Sequence, residues 1–150
     1  MRARSKSSPL STARPRTKAA PAVALPEPFA GWFAQKGWQP RAHQLALLAQ
    51  AEARRSTLLI APTGAGKTLA GFLPSLVALH ANRDQPAKAS GLRTLYISPL
   101  KALAVDIARN LLTPIDEMGL DIRVETRTGD TPASKRQRQR LKPPEILLTT

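Results

Sequence analysis

Residues 57–68, Thr57-Leu58-Leu59-Ile60-Ala61-Pro62-Thr63-Gly64-Ala65-Gly66-Lys67-Thr68, constrain this chain more than any other stretch. An apolar run that stops at a proline predicts a buried strand of a parallel sheet over 57–60. A loop of small residues follows, and an apolar helical pattern begins at Lys67. Strand, glycine loop and helix in that order form the setting in which backbone N–H groups cradle phosphates. Gly64 and Gly66 let the backbone curl inward with no Cβ in the way of a ligand. The start of the helix adds unpaired N–H groups and the positive end of its dipole. Lys67 suits β- and γ-phosphates as a point charge, and Thr68 offers a hydroxyl to Mg²⁺. Lys67 and Thr68 are therefore the candidate catalytic residues, with Thr68 as metal ligand. Thr63, Gly64, Ala65 and Gly66 complete the phosphate cradle. The strict pattern opens on glycine, and Ala61 stands there instead, so the reading rests on the strand–loop–helix context.

The 150 residues suit one domain with a sizeable core. The absence of cysteine excludes disulfides and thiolate metal sites and fits a reducing, cytoplasmic setting. No apolar run approaches the roughly 20 residues needed to span a bilayer, so no membrane partner is expected. The formal net charge is +13. Residues 1–25 hold six Lys or Arg and no acid, and the remainder holds 17 basic against 10 acidic residues. A basic excess that survives removal of the tail points to a polyanionic partner, nucleic acid above all, against the simpler reading of charge kept for solubility.

Residues 1–25, rich in Arg, Lys, Ser, Pro and Ala, bury too little to offset ordering entropy and read as a disordered basic arm. An organelle transit peptide has similar composition, but Pro9 and Pro15 would interrupt its helix. The folded part is expected over 26–150. Phe29, Trp32 and Phe33 at i, i+3 and i+4 predict a short helix with an aromatic face, stopped at Gly37. A second helix is expected over about 41–54. Gln44 lies in its first turns, where an amide with donor and acceptor side by side suits the edge of adenine. Arg41, at i−3, can share that face and stack on the base. Trp38 is expected as a core anchor beside Phe33, with stacking on the base as the alternative.

Beyond the phosphate loop, helical pattern runs from Leu69 to Leu79, and 81–92 read as a polar surface connection. Arg93–Ser98, Ile122–Thr126 and Glu145–Thr150 predict three more strands, with helices over 101–112 and 134–141 between them. Residues 115–120 read as a loop. Ser134 or Thr131 is expected to cap the last helix. Strands alternating with helices argue a parallel, doubly wound α/β sheet. Ser98–Leu103 joins the carboxyl end of a strand to a helix start, and Arg127–Thr131 ends the third strand. Lys101 brings a cation to the first of them, and a helix start there can hold a backbone phosphate. Each stretch alone also reads as an ordinary polar turn, and Lys135, Arg136, Arg138 and Arg140 as a solvated face.

With Gln44, Ala61–Thr68, Ser98-Pro99-Leu100-Lys101-Ala102-Leu103-Ala104 and Arg127-Thr128-Gly129-Asp130-Thr131 in that order, residues 28–150 resemble superfamily-2 helicases. More closely they resemble the N-terminal part of ligase-associated DExH-box helicases of the Lhr (large helicase-related) group. Trp32-Phe33, Gly37-Trp38 and Pro40-Arg41-Ala42-His43-Gln44 match the opening of that group. The resemblance implies a P-loop NTPase fold, a RecA-like parallel sheet with flanking helices. It implies ATP and Mg²⁺ as cofactors, Gln44 on adenine, and Thr63–Thr68 on phosphates and Mg²⁺. It places Pro99, Leu100, Lys101, Ala102, Thr128, Gly129, Asp130 and Thr131 against a nucleic-acid strand. DNA is expected ahead of RNA, with DNA repair as the setting and repair proteins such as a ligase as partners. The group's Asp-Glu-x-His motif and second motor domain are not found in these 150 residues, so a fragment inactive in ATP hydrolysis by itself is expected. Two other readings stay open. A kinase or remodelling ATPase would not need the loops at 98–103 and 127–131. A nucleotide-gated nucleic-acid-binding module would need them without strand separation.

Overall fold

The computed structural model describes residues 24–85 and 91–150. Residues 1–23 of the expected basic arm at 1–25 and part of the connection at 81–92 lie outside the described residues. Three strands, β1 (Thr94–Ile97), β2 (Val124–Arg127) and β3 (Ile146–Thr149), form one all-parallel sheet in the order β1-β3-β2. The register puts Thr94, Val124 and Ile146 in one row and Tyr96, Thr126 and Leu148 in another. Both rows face the core, where Ile146 and Leu148 are fully buried. Crossover helices are what parallel neighbours require.

Five helices are described: α1 (Phe29–Gln35), α2 (Ala42–Glu52), α3 (Lys67–Ala81), α4 (Lys101–Glu117) and α5 (Ala133–Leu141). Phe72, Leu73, Leu76 and Leu79 of α3 meet Ala104, Ile107, Leu111 and Ile115 of α4 over the sheet. Leu25 also packs against this core. From the opposite face of β2, Glu125 accepts from Arg138 and Gln139 of α5, at 2.9 and 2.8 Å. α1 ends as its glycine predicts. Gly37 takes φ +66°, Gly37 N–H donates to Ala34 O, and Trp38 N–H reaches back to Phe33 O at 2.9 Å.

Four expectations need correction. Residues 57–60 form no strand: the segment runs beside no partner strand, and Leu58 and Ile60 are 82% and 86% exposed. An apolar run becomes a strand only where a neighbour accepts its backbone hydrogen bonds, and the described sheet supplies none to it. The supposed loop at 115–120 begins as helix, because α4 runs through Pro114 to Glu117. Pro114 and Ile115 continue the buried stripe of Ala104, Ile107 and Leu111, and that burial outweighs the one lost N–H. Gly119 at φ +63° then closes the helix, with Leu120 N–H donating to Ile115 O. Neither Thr131 nor Ser134 caps α5, whose N-cap is Pro132 with no side-chain bond. Trp38 is no core anchor: it is 55% exposed, and its ring stands edge-on to Trp32.

Candidate nucleotide-binding site

The phosphate loop has the backbone its glycines allow. Gly64 and Gly66 sit at φ +78° and +71°, and Ala65 N–H closes a turn onto Pro62 O at 3.2 Å. Gly66 is the N-cap of α3, so that helix opens directly out of the loop. Lys67 folds back, its Nζ donating to Ala61 O at 2.9 Å and to Pro62 O at 2.7 Å. An exposed ammonium held by two neutral carbonyls exchanges them readily for a more negative acceptor.

Gln44 connects this loop to α2. It is only 3% exposed, although most helix glutamines are solvated. Its Oε1 accepts the Arg41 backbone N–H at 2.8 Å, tying down the start of α2. Its Nε2 lies 3.1 Å from where a Cβ on Gly66 would stand. Position 66 thus favours glycine for its left-handed φ, and a Cβ there would also crowd the amide.

A cavity of about 730 Å³ opens at this junction, lined by Gln44, Arg41, Gly66 and Thr68 on one side and by Trp32 and Trp38 on another. That volume suits a small organic ligand, for which pockets of about 300–1,000 Å³ are usual. Thr63, Gly64, Ala65 and Lys67 do not line the cavity but border it on the loop. Asn110, Thr113 and Glu117 of α4 form its far wall. There Glu117 Oε2 accepts Trp32 Nε1–H at 2.7 Å, and Oε1 accepts Lys36 at 2.6 Å. Those two donors, Lys36 first, hold the Glu117 carboxyl below the usual carboxylate range. Trp32, Lys36 and Glu117 escape a reading of the sequence. Trp32 carries a local signal only as one of the aromatic face, and Glu117 is 85 positions away from it.

Thr68, in the first turn of α3, puts its side chain on the wall of the cavity beside the phosphate loop. Among the described residues no group of three His, Cys, Asp or Glu side chains forms a metal site. Magnesium often binds through few protein groups and the phosphates of a nucleotide, and a lone hydroxyl beside a phosphate loop fits that habit.

The two other predicted stretches come together away from this cavity, at the carboxyl ends of β1 and β2. Lys101 Nζ pairs with Asp130 Oδ2 at 2.5 Å, bridging the loops. Ser98, 1% exposed, donates its backbone N–H to Thr149 O and accepts the Leu100 N–H on its hydroxyl. Thr131, also buried, accepts the Thr128 N–H on Oγ1 at 2.8 Å, and Thr149 Oγ1 donates to Arg127 O at 2.7 Å. The buried hydroxyls thereby leave Pro99, Leu100, Lys101, Ala102, Gly129 and Asp130 on the surface, with Thr128 partly covered. Among the described residues no helix is long and apolar enough to cross a membrane.

The chain is 39% identical over 148 residues to the Lhr helicase/uracil glycosylase of Escherichia coli K12, covering 87% of this chain and 10% of that protein. It is 39% identical over 127 residues to the ATP-dependent helicase Lhr-Core of Saccharolobus solfataricus, covering 81% of this chain and 14% of that one. The solved structure of the Mycobacterium smegmatis helicase Lhr bound to ssDNA and AMP-PNP is 40% identical. It superposes with a TM-score of 0.67 over 81% of this chain and 16% of that one. The DUF1998 helicase MrfA bound to DNA gives a TM-score of 0.72 at 32% identity, over 84% of this chain and 17% of that one. The chain therefore spans a small part of the length of each relative. The DEAD/DEAH box helicase model matches residues 41–150, from Arg41 beside the cavity to the end of the sheet, and the chain belongs to that family.

Proposed function

We propose that this chain is the ATP-binding portion of the first motor domain of an ATP-dependent DNA helicase or translocase. The observation that carries the reading is the approach of Gln44 to Gly66, which sets a base-reading amide against a phosphate loop in one cavity. Gln44 Nε2 can donate to N7 of adenine. Its Oε1, with a second lone pair beyond the Arg41 bond, can accept from the exocyclic amine. Guanine presents two acceptors on that edge and would set its carbonyl against Oε1. Arg41 and the exposed Trp38 offer flat groups for the base to stack on. Lys67 would leave its two carbonyls for the β- and γ-phosphates, and the loop N–H groups would complete the cradle. Thr68 would hold a magnesium ion together with the phosphates, and the ion would supply charge neutralisation at the transferring phosphoryl group.

The bridged loops at 99–102 and 128–131 would meet a nucleic-acid strand through backbone N–H groups and Lys101, contacts that track the sugar–phosphate chain without reading sequence. DNA as that strand is supported by the relatives solved with DNA. The test compares ATP and GTP turnover by the protein with its complete motor, before and after Gln44→Ala. An unpaired base edge costs about 1–3 kcal/mol, so the preference for ATP should fall by about ten- to a hundredfold. A preference that persists undiminished removes Gln44 from the adenine site.

A further inference from the structure

α4 ends at the cavity, and its last residue turns both carboxylate oxygens onto α1. Trp32 is 7% exposed, so its indole N–H has been taken from water, and Glu117 is its partner at 2.7 Å. A buried donor left without a partner is costly, which makes this bond a strong constraint on the ring. Lys36, the residue that caps the end of α1, holds the second oxygen at 2.6 Å and so fixes the carboxylate itself. The Trp32 ring in turn meets Trp38 at 5.6 Å between centroids and 87° between planes. Trp38 stands just past the left-handed turn at Gly37 and remains more than half exposed beside the cavity. Of the two indoles, one is locked by its N–H and the other leans on it.

We propose that Glu117 is a positioning residue for the nucleotide base, holding Trp32 so that Trp38 is preset as the wall on which the base stacks. This rests on reading the cavity as the adenine site. Glu117 need not touch the base, because Trp32 and Trp38 transmit its effect. Its benefit is preorganisation: a ring already in place loses little freedom when a ligand arrives. A simple staple between α1 and α4 would stabilise the fold without this link to Trp38.

The experiment measures binding of a fluorescent N-methylanthraniloyl ADP, and the KM and kcat for ATP, in the protein with its complete motor. Glu117→Ala should weaken ADP binding about tenfold, the scale of one lost aromatic contact, with the loss falling on KM rather than on kcat. Trp38→Ala should do the same, and the double variant should be no worse than Trp38→Ala alone. Glu117→Gln keeps an oxygen for the Trp32 N–H and should restore most of the affinity. Trp32→Phe, which keeps a ring and removes the N–H, should mimic Glu117→Ala and serves if that variant fails to fold. Unchanged ADP affinity in Glu117→Ala and Trp32→Phe overturns the proposal, as do effects of Glu117→Ala and Trp38→Ala that simply multiply. If Lys67→Ala and Gln44→Ala also leave ADP binding intact, the adenine-site reading itself fails. If those two weaken binding and Glu117→Ala does not, only the role of Glu117 is lost.

Discussion

The loops at 98–102 and 127–131 are held by buried and half-buried hydroxyls, whereas the phosphate loop is held by its own lysine. Ser98, Thr131 and Thr149 each spend a side-chain bond on neighbouring backbone, beneath surface residues that stay exposed. The phosphate loop has no such support, and Thr63, Gly64 and Lys67 are all exposed. Its shape comes from two left-handed glycines and from Lys67 bridging two carbonyls. The first region is built before any ligand arrives. In the second, the exposed Lys67 ammonium is taken up by the carbonyls of Ala61 and Pro62. Less supported parts of a fold rearrange at lower cost, and of these two regions the phosphate loop is the less supported.

That contrast can be broken at Lys67, where the largest effect is expected. In the protein with its complete motor, Lys67→Ala should lower nucleic-acid-stimulated ATP turnover by about 10²–10³-fold, as one lost charge contact in a transition state does. Circular dichroism should show the fold intact, because the lysine is exposed; near-normal turnover would remove the phosphate assignment. Thr131→Val tests the opposite region. It strands the Thr128 N–H and should cost about 1–3 kcal/mol of stability, read as a shift of the urea midpoint. Single-stranded DNA affinity should fall with it, while ADP affinity holds; a loss of ADP affinity instead would show that the two regions are not independent.

Lys101→Ala sharpens the comparison more gently. Removing one phosphate contact should reduce the slope of log K against log salt for DNA by about one. An unchanged slope would mean that Lys101 serves only Asp130. The smallest effect is expected at Glu145, which is held by Arg123 at the other end of the sheet. Burial raises its carboxyl, but the hydrogen bonds from Arg123 outweigh that and leave it below the usual range. A depressed carboxyl contributes stability above its unfolded value and loses it as pH falls through the lower folded value. Arg123 is half exposed, so Glu145→Gln should cost under about 1 kcal/mol near neutral pH and nothing once acid has protonated the parent.

The sequence makes most of the sheet legible. Residues 94–97, 124–127 and 146–149 emerge within two residues of the expected strands, because apolar and β-branched residues recur there between turn signals. The run at 57–60 misleads because periodicity reports a chain's preference and says nothing of an available neighbour. Pro114 misleads for the reverse reason: a breaker in sequence is tolerated where burial favours continuing the helix. At the site, Gln44, Gly66, Lys67 and Thr68 are legible from order and spacing, and the contact of Gln44 with Gly66 binds two of them together. Glu117 is not legible, since nothing local marks which of ten acidic residues will meet an indole N–H across the fold.

One edge of the sheet has a further consequence. Among the described residues β1 pairs only with β3, and its outer face exposes Leu95 and Ile97; Leu58 and Ile60 are also uncovered. An open strand edge with apolar side chains is a template for a second copy of itself. The +13 charge of the chain opposes that encounter at low ionic strength. Salt shortens the reach of that repulsion to about 8 Å at physiological strength and leaves apolar attraction untouched. Light scattering from this chain alone should therefore rise with added salt. Replacing Ile97 with lysine should suppress the rise more than replacing an exposed arginine of α5.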